Sequence, residues 1–486
     1  MEKKLKWYDH LLINSYWLGI NISTGTITPI LLPYLILMFM PTEEKNTHLA
    51  TVRVIGLAVA MFVQPLAGML SDRSTAKLGR RRPFILASAF LSVLFLVIIG
   101  ISPLFNDKAG IGPWPLSFMV LLIGTAFIQF SSNLGHGALQ GVIPDIVPED
   151  QRGRASGVKA VLELLPVFLV IFIGLLVDQG KIPLVVGIIA AGFLVTMALT
   201  MFFVKEAPLN VKPEGSIREP VLRLLALTAI FVTVTQLATL GVRAAGRRAD
   251  LLSASLPQQV LLVGFVGLTA MVGAIMIGVY TGAWIGIGKA ANNQKAFIWW
   301  VINRLLFLAA VGSIQGFAQF FLKDVLRMEN AATMTTILLA VVAVFLIPSA
   351  IGGGYLADRI GRKRLIGLSG FVATGGTLLL MFSGTFPLVI ISGCIIGLAT
   401  GTFMATNWAL GTDLVPKADA GKYLGISNLA GAGAGIVGAG IGGPLADFFN
   451  QFQPGLGYII IFAIYAGLFL LSALTLAKVK LPTDGN

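Results

Sequence analysis

Fourteen stretches of this chain stay apolar for roughly 20 residues or more, enough for a helix to cross a ~30 Å hydrocarbon core. They fall near 11–38, 50–71, 83–105, 115–145, 155–177, 182–204, 221–242, 259–287, 298–323, 332–356, 365–384, 386–412, 423–446 and 456–477. Backbone groups in hydrocarbon must be paired within their own segment, so each stretch is expected to be a helix. Apolar residues make up 56% of the chain and charged residues 12%, a balance far outside the soluble norm. The expected fold class is an all-α polytopic membrane protein.

The spans group as six, two and six. Two loops in equivalent places repeat one pattern: Gly68-x3-Asp72-Arg73…Gly79-Arg80-Arg81-Arg82 and Gly354-x3-Asp358-Arg359…Gly361-Arg362-Lys363-Arg364. Asp145, Pro148, Gly153, Arg154 and Gly157 map onto Asp413, Pro416, Gly421, Lys422 and Gly425 at one constant offset. The chain therefore reads as a duplicated bundle. Its expected parts are an N-terminal six-helix bundle at 1–204, a linker with two inserted helices at 205–297, and a C-terminal six-helix bundle at 298–486. Such repeats belong to solute carriers that rock about a central site.

Basic residues set the expected topology. With the N-terminus inside, the cytoplasmic loops hold Arg73 to Arg82, Arg152, Arg154, Lys205, Lys212, Lys289, Lys295, Arg359 to Arg364, Lys417 and Lys422, as the positive-inside rule requires. Both termini are then cytoplasmic in a multi-pass protein of the cell membrane. Arg243, Arg247 and Arg248 disobey: either the exception is tolerated or the central pair is a re-entrant hairpin. The net charge of +13 is thus spent on loops, and no nucleic-acid partner is expected. Met1–Lys6, with three lysines, leads straight into the first span and reads as a retained helix rather than a cleaved signal.

Other chemistry is thin. Cys394 is the only cysteine and the three histidines are scattered, so no disulfide, metal site or cofactor is expected. No Walker loop is present. Gly433-Ala434-Gly435-Ile436-Val437-Gly438 matches a dinucleotide fingerprint but lies inside a span with no strand before it. Gly278, Gly282 and Gly286 form a ladder suited to helix packing. Nothing marks an enzyme.

The paired loops resemble the signature of the major facilitator superfamily, and the likeness covers both six-helix halves. The run Ser71-Asp72-Arg73-Ser74-Thr75-Ala76-Lys77-Leu78-Gly79-Arg80-Arg81-Arg82-Pro83-Phe84 resembles the glycoside–pentoside–hexuronide cation symporters, especially their sucrose–proton branch. The resemblance implies the superfamily's fold, here with two extra central helices. It also implies gating roles for Asp72, Arg73, Arg80 and Asp358, with Asp145, Arg152, Arg359 and Arg362 in the same loops. Pro148-Glu149-Asp150-Gln151-Arg152-Gly153 is similar to the family's turn between helices four and five. Two positions depart. Sucrose carriers end the fourth helix in Arg-Ala-Leu-x-x-Asp-Leu, whereas Gln140 stands here in place of that arginine. No acid precedes Asp72 in the second helix. These departures argue against sucrose itself and against sodium coupling.

Inside the spans, Gln129, Asn133, His136 and Gln140 share one face of the fourth helix. Such a stripe either lines a cavity or only joins helices by hydrogen bonds. Asn14, Trp17, Asn21 and Thr24 form a similar stripe on the first helix. Lys159 and Glu163 lie at i and i+4 on the fifth, with Glu163 ~15 Å deep by helix rise. At that depth a carboxyl group near His136 suits proton binding and release; the alternative is a purely structural Lys–Glu pair. In the second half, Asn303, Arg304, Gln315 and Gln319 lie on the seventh helix of the repeat, and Thr402, Thr406, Asn407 and Trp408 on the tenth. Arg304 either contributes there or snorkels.

The expected solute contacts are Asn21, Gln129, Asn133, His136, Gln140, Gln315, Asn407 and Trp408. Glu163, Lys159 and His136 are the expected proton-coupling groups. The leading expectation is a secondary transporter for a small polar solute, a sugar or glycoside, working as a monomer among membrane lipids with proton coupling. The alternative is an exporter of amphipathic drugs or lipids.

Overall fold

The computed structural model describes residues 5–106, 108–204, 206, 208, 215–251, 253–415 and 420–480. Lys3, Lys4, Lys205, Lys212, Pro416 and Lys417 lie outside them, as do the side chains of Gly421, Lys422 and Gly425. Among the described residues fourteen helical segments are long and apolar enough to cross a membrane. In chain order they are α1 (Trp7–Phe39), α2 (Lys45–Asp72), α3 (Arg82–Phe105), α4 (Leu116–Ile146), α5 (Glu149–Asp178), α6 (Ile182–Phe203) and α7 (Arg218–Ala249). There follow α8 (Leu256–Asn293), α9 (Lys295–Asp324), α10 (Ala331–Ile360), α11 (Arg362–Met381), α12 (Phe386–Leu414), α13 (Ile426–Asn450) and α14 (Leu456–Lys478). All fourteen coincide with the apolar stretches of the sequence.

Contacts divide the chain into two compact units. The first comprises 1–40, 59–224 and 332–336; the second comprises 41–58, 225–331 and 337–486. The start of α2 therefore belongs with the second unit, and the start of α10 with the first.

The first unit is joined by small hydroxyls at close helix approaches, the usual glue where hydrocarbon offers no hydrophobic drive. Ser15 Oγ lies 2.9 Å from Thr200 Oγ1, joining α1 to α6. Tyr16 OH lies 3.0 Å from Ser88 Oγ on α3, and Ser92 Oγ lies 2.9 Å from Ser131 Oγ on α4. Prolines break two of these helices by removing an N–H from the ladder. A π-helical turn at Ile27–Leu31 contains Pro29 and precedes Pro33. Pro166 divides α5 into Arg152–Leu164 and Pro166–Asp178.

The second unit packs larger aromatic faces. Phe307 on α9 stacks on Phe403 of α12 at 3.7 Å between ring centroids and meets Phe469 of α14 edge-on at 4.8 Å. The inserted pair belongs here. Thr239 on α7 donates to the Gly440 carbonyl of α13 at 3.1 Å. A Cβ at Gly278 would strike the Phe231 ring, and one at Gly286 would strike Ile426, so the glycine ladder of α8 is a packing face. The helix carrying α7 runs Arg218–Leu251, 34 residues, or ~51 Å at 1.5 Å per residue. It is no re-entrant hairpin. Arg243, Arg247 and Arg248 are exposed on its last turns, beyond the length needed to cross.

Candidate functional site

In the first unit, α1, α4 and α5 bring four chemically active side chains together. The Trp17 indole is buried, at 1% exposure. It meets the His136 ring edge-on at 4.8 Å between centroids. Lys159 Nζ sits 4.1 Å from the centroid of the same indole, within cation–π range. Lys159 also lies 3.3 Å from Glu163, with both side chains about a third exposed (30% and 32%). The chain of contacts is His136–Trp17–Lys159–Glu163. His136 and Glu163 thus share one neighbourhood, linked through tryptophan and lysine rather than in direct contact. Glu163 stands one turn before the Pro166 break, so the helix beside it has an interrupted hydrogen-bond ladder.

The polar stripe of α4 splits in two. Asn133 is buried, and its Nδ2 donates to Gln129 Oε1 at 3.2 Å and to the Gln129 carbonyl at 2.8 Å. Gln129 and His136 are half-buried. Gln140 was expected on the same continuous face, but the helix breaks there and Gln140 is exposed at its end. Just beyond it Gly141 keeps right-handed helical geometry, and its missing side chain makes room for a guanidinium: a Cβ there would lie 2.3 Å from Arg81 Cζ. On α1, half-buried Asn21 bonds back to the Trp17 carbonyl at 2.8 Å. Asn14 is fully buried and donates to the Ala155 carbonyl at 3.1 Å, tying α1 to α5.

The basic loops pair within their own repeats. Arg80 and Arg81 both bind Asp145, with Nε to Oδ2 distances of 3.0 and 2.9 Å. Arg81 also pairs with Asp72 and donates to Ser71 Oγ at 2.6 Å. Glu206 accepts from the backbone N–H groups of Arg81 and Arg82 at 2.9 and 3.2 Å, placing a carboxylate at the start of α3. In the second unit Arg362 pairs with Asp413, the equivalent of Arg80 with Asp145. Arg73 donates to the Gly215 carbonyl, and Arg152 to the Pro144 carbonyl at 3.1 Å. Arg359 lies over the Tyr355 ring at 4.6 Å. Asp358 is exposed, with no ion pair among the described residues.

In the second unit, the expected solute contact Asn407 is completely buried. Its Nδ2 donates to Asn303 Oδ1 at 2.8 Å and its Oδ1 accepts from Arg304 Nη1 at 3.4 Å. The carboxamide is engaged on both sides, so it positions Arg304 instead of facing solute. Asn303 is held in turn by Ser472, donating to its carbonyl at 2.7 Å and to Oγ at 2.9 Å. Arg304, at 7% exposure, stacks over the Trp408 ring at 5.2 Å. Its Nε is buried without a partner, and no carboxylate pairs with it among the described residues. It does not snorkel. Gln315 is exposed and Trp408 half-buried.

Three participants were not assigned roles from sequence. Trp17 stood in the α1 stripe, but its contacts to His136 and Lys159 cross between helices. Arg81 is the hub of the loop network, yet nothing in a run of three arginines singles it out. Arg304 has no sequence neighbour that reveals its burial.

Comparison with known proteins agrees with this architecture. Among solved structures, a D-xylose–proton symporter matches with a TM-score of 0.62 at 15% identity, covering 97% of each chain. The nucleoside transporter NupG matches at 0.64 and 13% identity, covering 97% of this chain and 100% of that one. At these identities the likeness is one of fold. Curated relatives match in part. The sucrose transport protein SUC4 of Arabidopsis thaliana is 29% identical over 138 residues, 28% of this chain and 26% of that protein. The general alpha-glucoside permease of Schizosaccharomyces pombe is 26% identical over 164 residues, 32% and 30% of the two chains. The minor myo-inositol transporter IolF of Bacillus subtilis is 31% identical over 103 residues, 21% and 24%. The chain thus spans about a quarter to a third of the length of these relatives. The family model for the Major Facilitator Superfamily matches residues 18–325 and 305–485. With fourteen spanning helices and that match over nearly its whole length, the chain belongs to the major facilitator superfamily.

Proposed function

We propose that this protein is a secondary carrier for a small sugar or glycoside, working by alternating access with proton coupling. The observation that carries the reading is the Trp17–His136–Lys159–Glu163 cluster on α1, α4 and α5. An ionisable pair inside spanning helices marks a solute or proton route by default. Sugars suit its surroundings: their hydroxyls pair with amides and cationic donors. The relatives named for sucrose, alpha-glucosides and myo-inositol support that solute class.

Asn21, Gln129, His136, Gln140, Gln315 and Trp408 are the proposed solute contacts. Asn133 and Asn407 orient Gln129 and Arg304 behind them. Glu163, Lys159 and His136 carry the proton. Glu163 takes and releases it beside Lys159, 3.3 Å away, one turn before the Pro166 break. Asp72, Arg73, Arg80, Asp145, Arg152, Asp358, Arg359 and Arg362, together with Arg81, form the cytoplasmic gate. The moving halves are 1–204 and 298–486, the segment 205–297 riding with them. Both termini face the cytoplasm of a cell-membrane monomer.

The test is uptake of radiolabelled sucrose, maltose and myo-inositol into proteoliposomes, with and without an inward proton gradient. Saturable uptake of at least one sugar, accelerated by the gradient, is expected. Only linear, non-saturable entry of all three would sink the sugar reading.

A further inference from the structure

The helix ends remote from the Gly-Arg loops carry a second duplicated motif, which the gate proposed above does not use. α5 ends in Gly174-x3-Asp178 and α13 in Gly443-x3-Asp447, the same spacing that closes α2 and α10. In the first unit, the Asp178 carboxylate accepts from the backbone N–H groups of Ala332 at 3.1 Å and Thr333 at 2.7 Å, and from Thr333 Oγ1 at 2.5 Å. Asn330, at the N-cap position of α10, makes no side-chain cap of its own. In the second unit, Asp447 accepts from the backbone N–H groups of Asn46 at 3.2 Å and Thr47 at 2.6 Å, and from Asn46 Nδ2 at 2.8 Å. Each carboxylate therefore fills the open donors at the start of the second helix of the opposite repeat, where the helix dipole favours negative charge.

The glycine one turn earlier allows the approach. A Cβ at Gly174 would lie 2.6 Å from Thr336 Oγ1 and 2.9 Å from the Ala332 carbonyl oxygen. A Cβ at Gly443 would lie 2.4 Å from the Asn46 carbonyl oxygen and 2.6 Å from Ala50 Cβ. The offset that relates Gly68 to Gly354 also relates Asn46 to Ala332, Thr47 to Thr333 and Ala50 to Thr336. The two contacts are one contact, made twice. Neighbouring charges add to the second copy: Lys45 lies 2.6 Å from Asp324, whose Oδ2 also accepts from Tyr458 OH at 2.5 Å. Arg53 Nη2 donates to the Gly312 carbonyl at 2.8 Å.

We propose that Asp178 and Asp447 are a matched pair of latches: they tie each repeat to the other at the ends away from the basic loops, and the carrier opens there only when both release. Helix caps are normally supplied by the residue that starts the helix. Here both come from the opposite repeat, so the second helices cannot separate from their partners without losing them. The inference rests on the carrier reading but not on which solute is carried.

The experiment uses the full chain with Cys394→Ser, reconstituted in nanodiscs without solute. Spin labels at Glu43→Cys and Gln451→Cys report on the Asp447 latch, and at Gln179→Cys and Glu329→Cys on the Asp178 latch. Double electron–electron resonance reads the separated population. Asp178→Asn and Asp447→Asn are each expected to raise it about tenfold, equivalent to about 1.4 kcal/mol and within reach of a charge at a helix N-terminus. The latches share no partner, so the double variant should approach a hundredfold. Glu219→Gln, exposed, paired with Arg223 and outside both latches and the gate, should change nothing. Gly174→Ala and Gly443→Ala wedge the same contacts and should give the same shift if an Asn variant does not fold. Unchanged distributions in the Asn and Ala variants overturn the proposal, and a response at only one latch overturns the pairing. Failure of sugar uptake by the wild type would sink the solute reading and leave this result standing.

Discussion

Replacing Trp17 by leucine is the sharpest probe of the coupling cluster. The indole is buried and touches two of the proposed proton-coupling groups at once, His136 edge-on and Lys159 over its face. Leucine keeps an apolar side chain but has no π face. An aromatic edge contact contributes about 0.5–1.5 kcal/mol. A cation–π contact with a partly exposed lysine contributes about 0.5–1 kcal/mol. Together that is about 1–2.5 kcal/mol of orientation lost from the site, or a fall in kcat/KM of about 5- to 70-fold. The assay is initial-rate uptake into proteoliposomes of whichever labelled sugar the wild type transports, at several concentrations and with a fixed inward proton gradient. Trp17→Phe retains a smaller π face and should lose less than tenfold. If Trp17→Leu stays within twofold of the wild type, the indole is only filler, and His136 and Lys159 act without it.

Glu163→Gln keeps the size of the side chain and removes its charge. It should abolish acceleration by the proton gradient while sugar exchange across the membrane persists; gradient-driven uptake at wild-type rate would end the coupling role. Asn407→Ala strips Arg304 of its acceptor and Asn303 of its donor. Two buried groups left unsatisfied, at about 1–3 kcal/mol each, should lower the thermal midpoint in detergent and raise KM by about tenfold or more. Gly141→Val places branched carbon where Arg81 passes. It should weaken the Arg81–Asp145 pair and reduce transport rate with little change in KM, seen as a kcat loss in the same assay.

Much of the fold was legible because the bilayer imposes a length and a composition on every span. That is why even α7, with three exposed arginines at its end, was found as a crossing. Its arginines lie past the length needed to cross, so they need not sit in hydrocarbon; their exception to the positive-inside rule concerns the side they face, which helix length does not change. The loop network was half legible. Asp145 and Asp413 stand out through the repeat, but Arg81 does not stand out from its neighbours, since its reach depends on the space left beside Gly141 in the folded bundle. The candidate site was less legible still. Asn407 has the chemistry of a solute ligand, yet its carboxamide is engaged on both sides inside the unit.

By itself the sequence determined the class of protein, the fourteen crossings, the duplication and the polar stripes, because periodicity and hydropathy are properties of single helices. Only the tertiary structure decided which polar groups are spent on holding helices and which stay available. It also decided that Trp17 joins His136 to Lys159, and that Asp178 and Asp447 cap helices of the opposite repeat. Those outcomes depend on which side chain reaches a donor or acceptor first across a helix interface, and spacing along one strand of sequence carries no record of that competition.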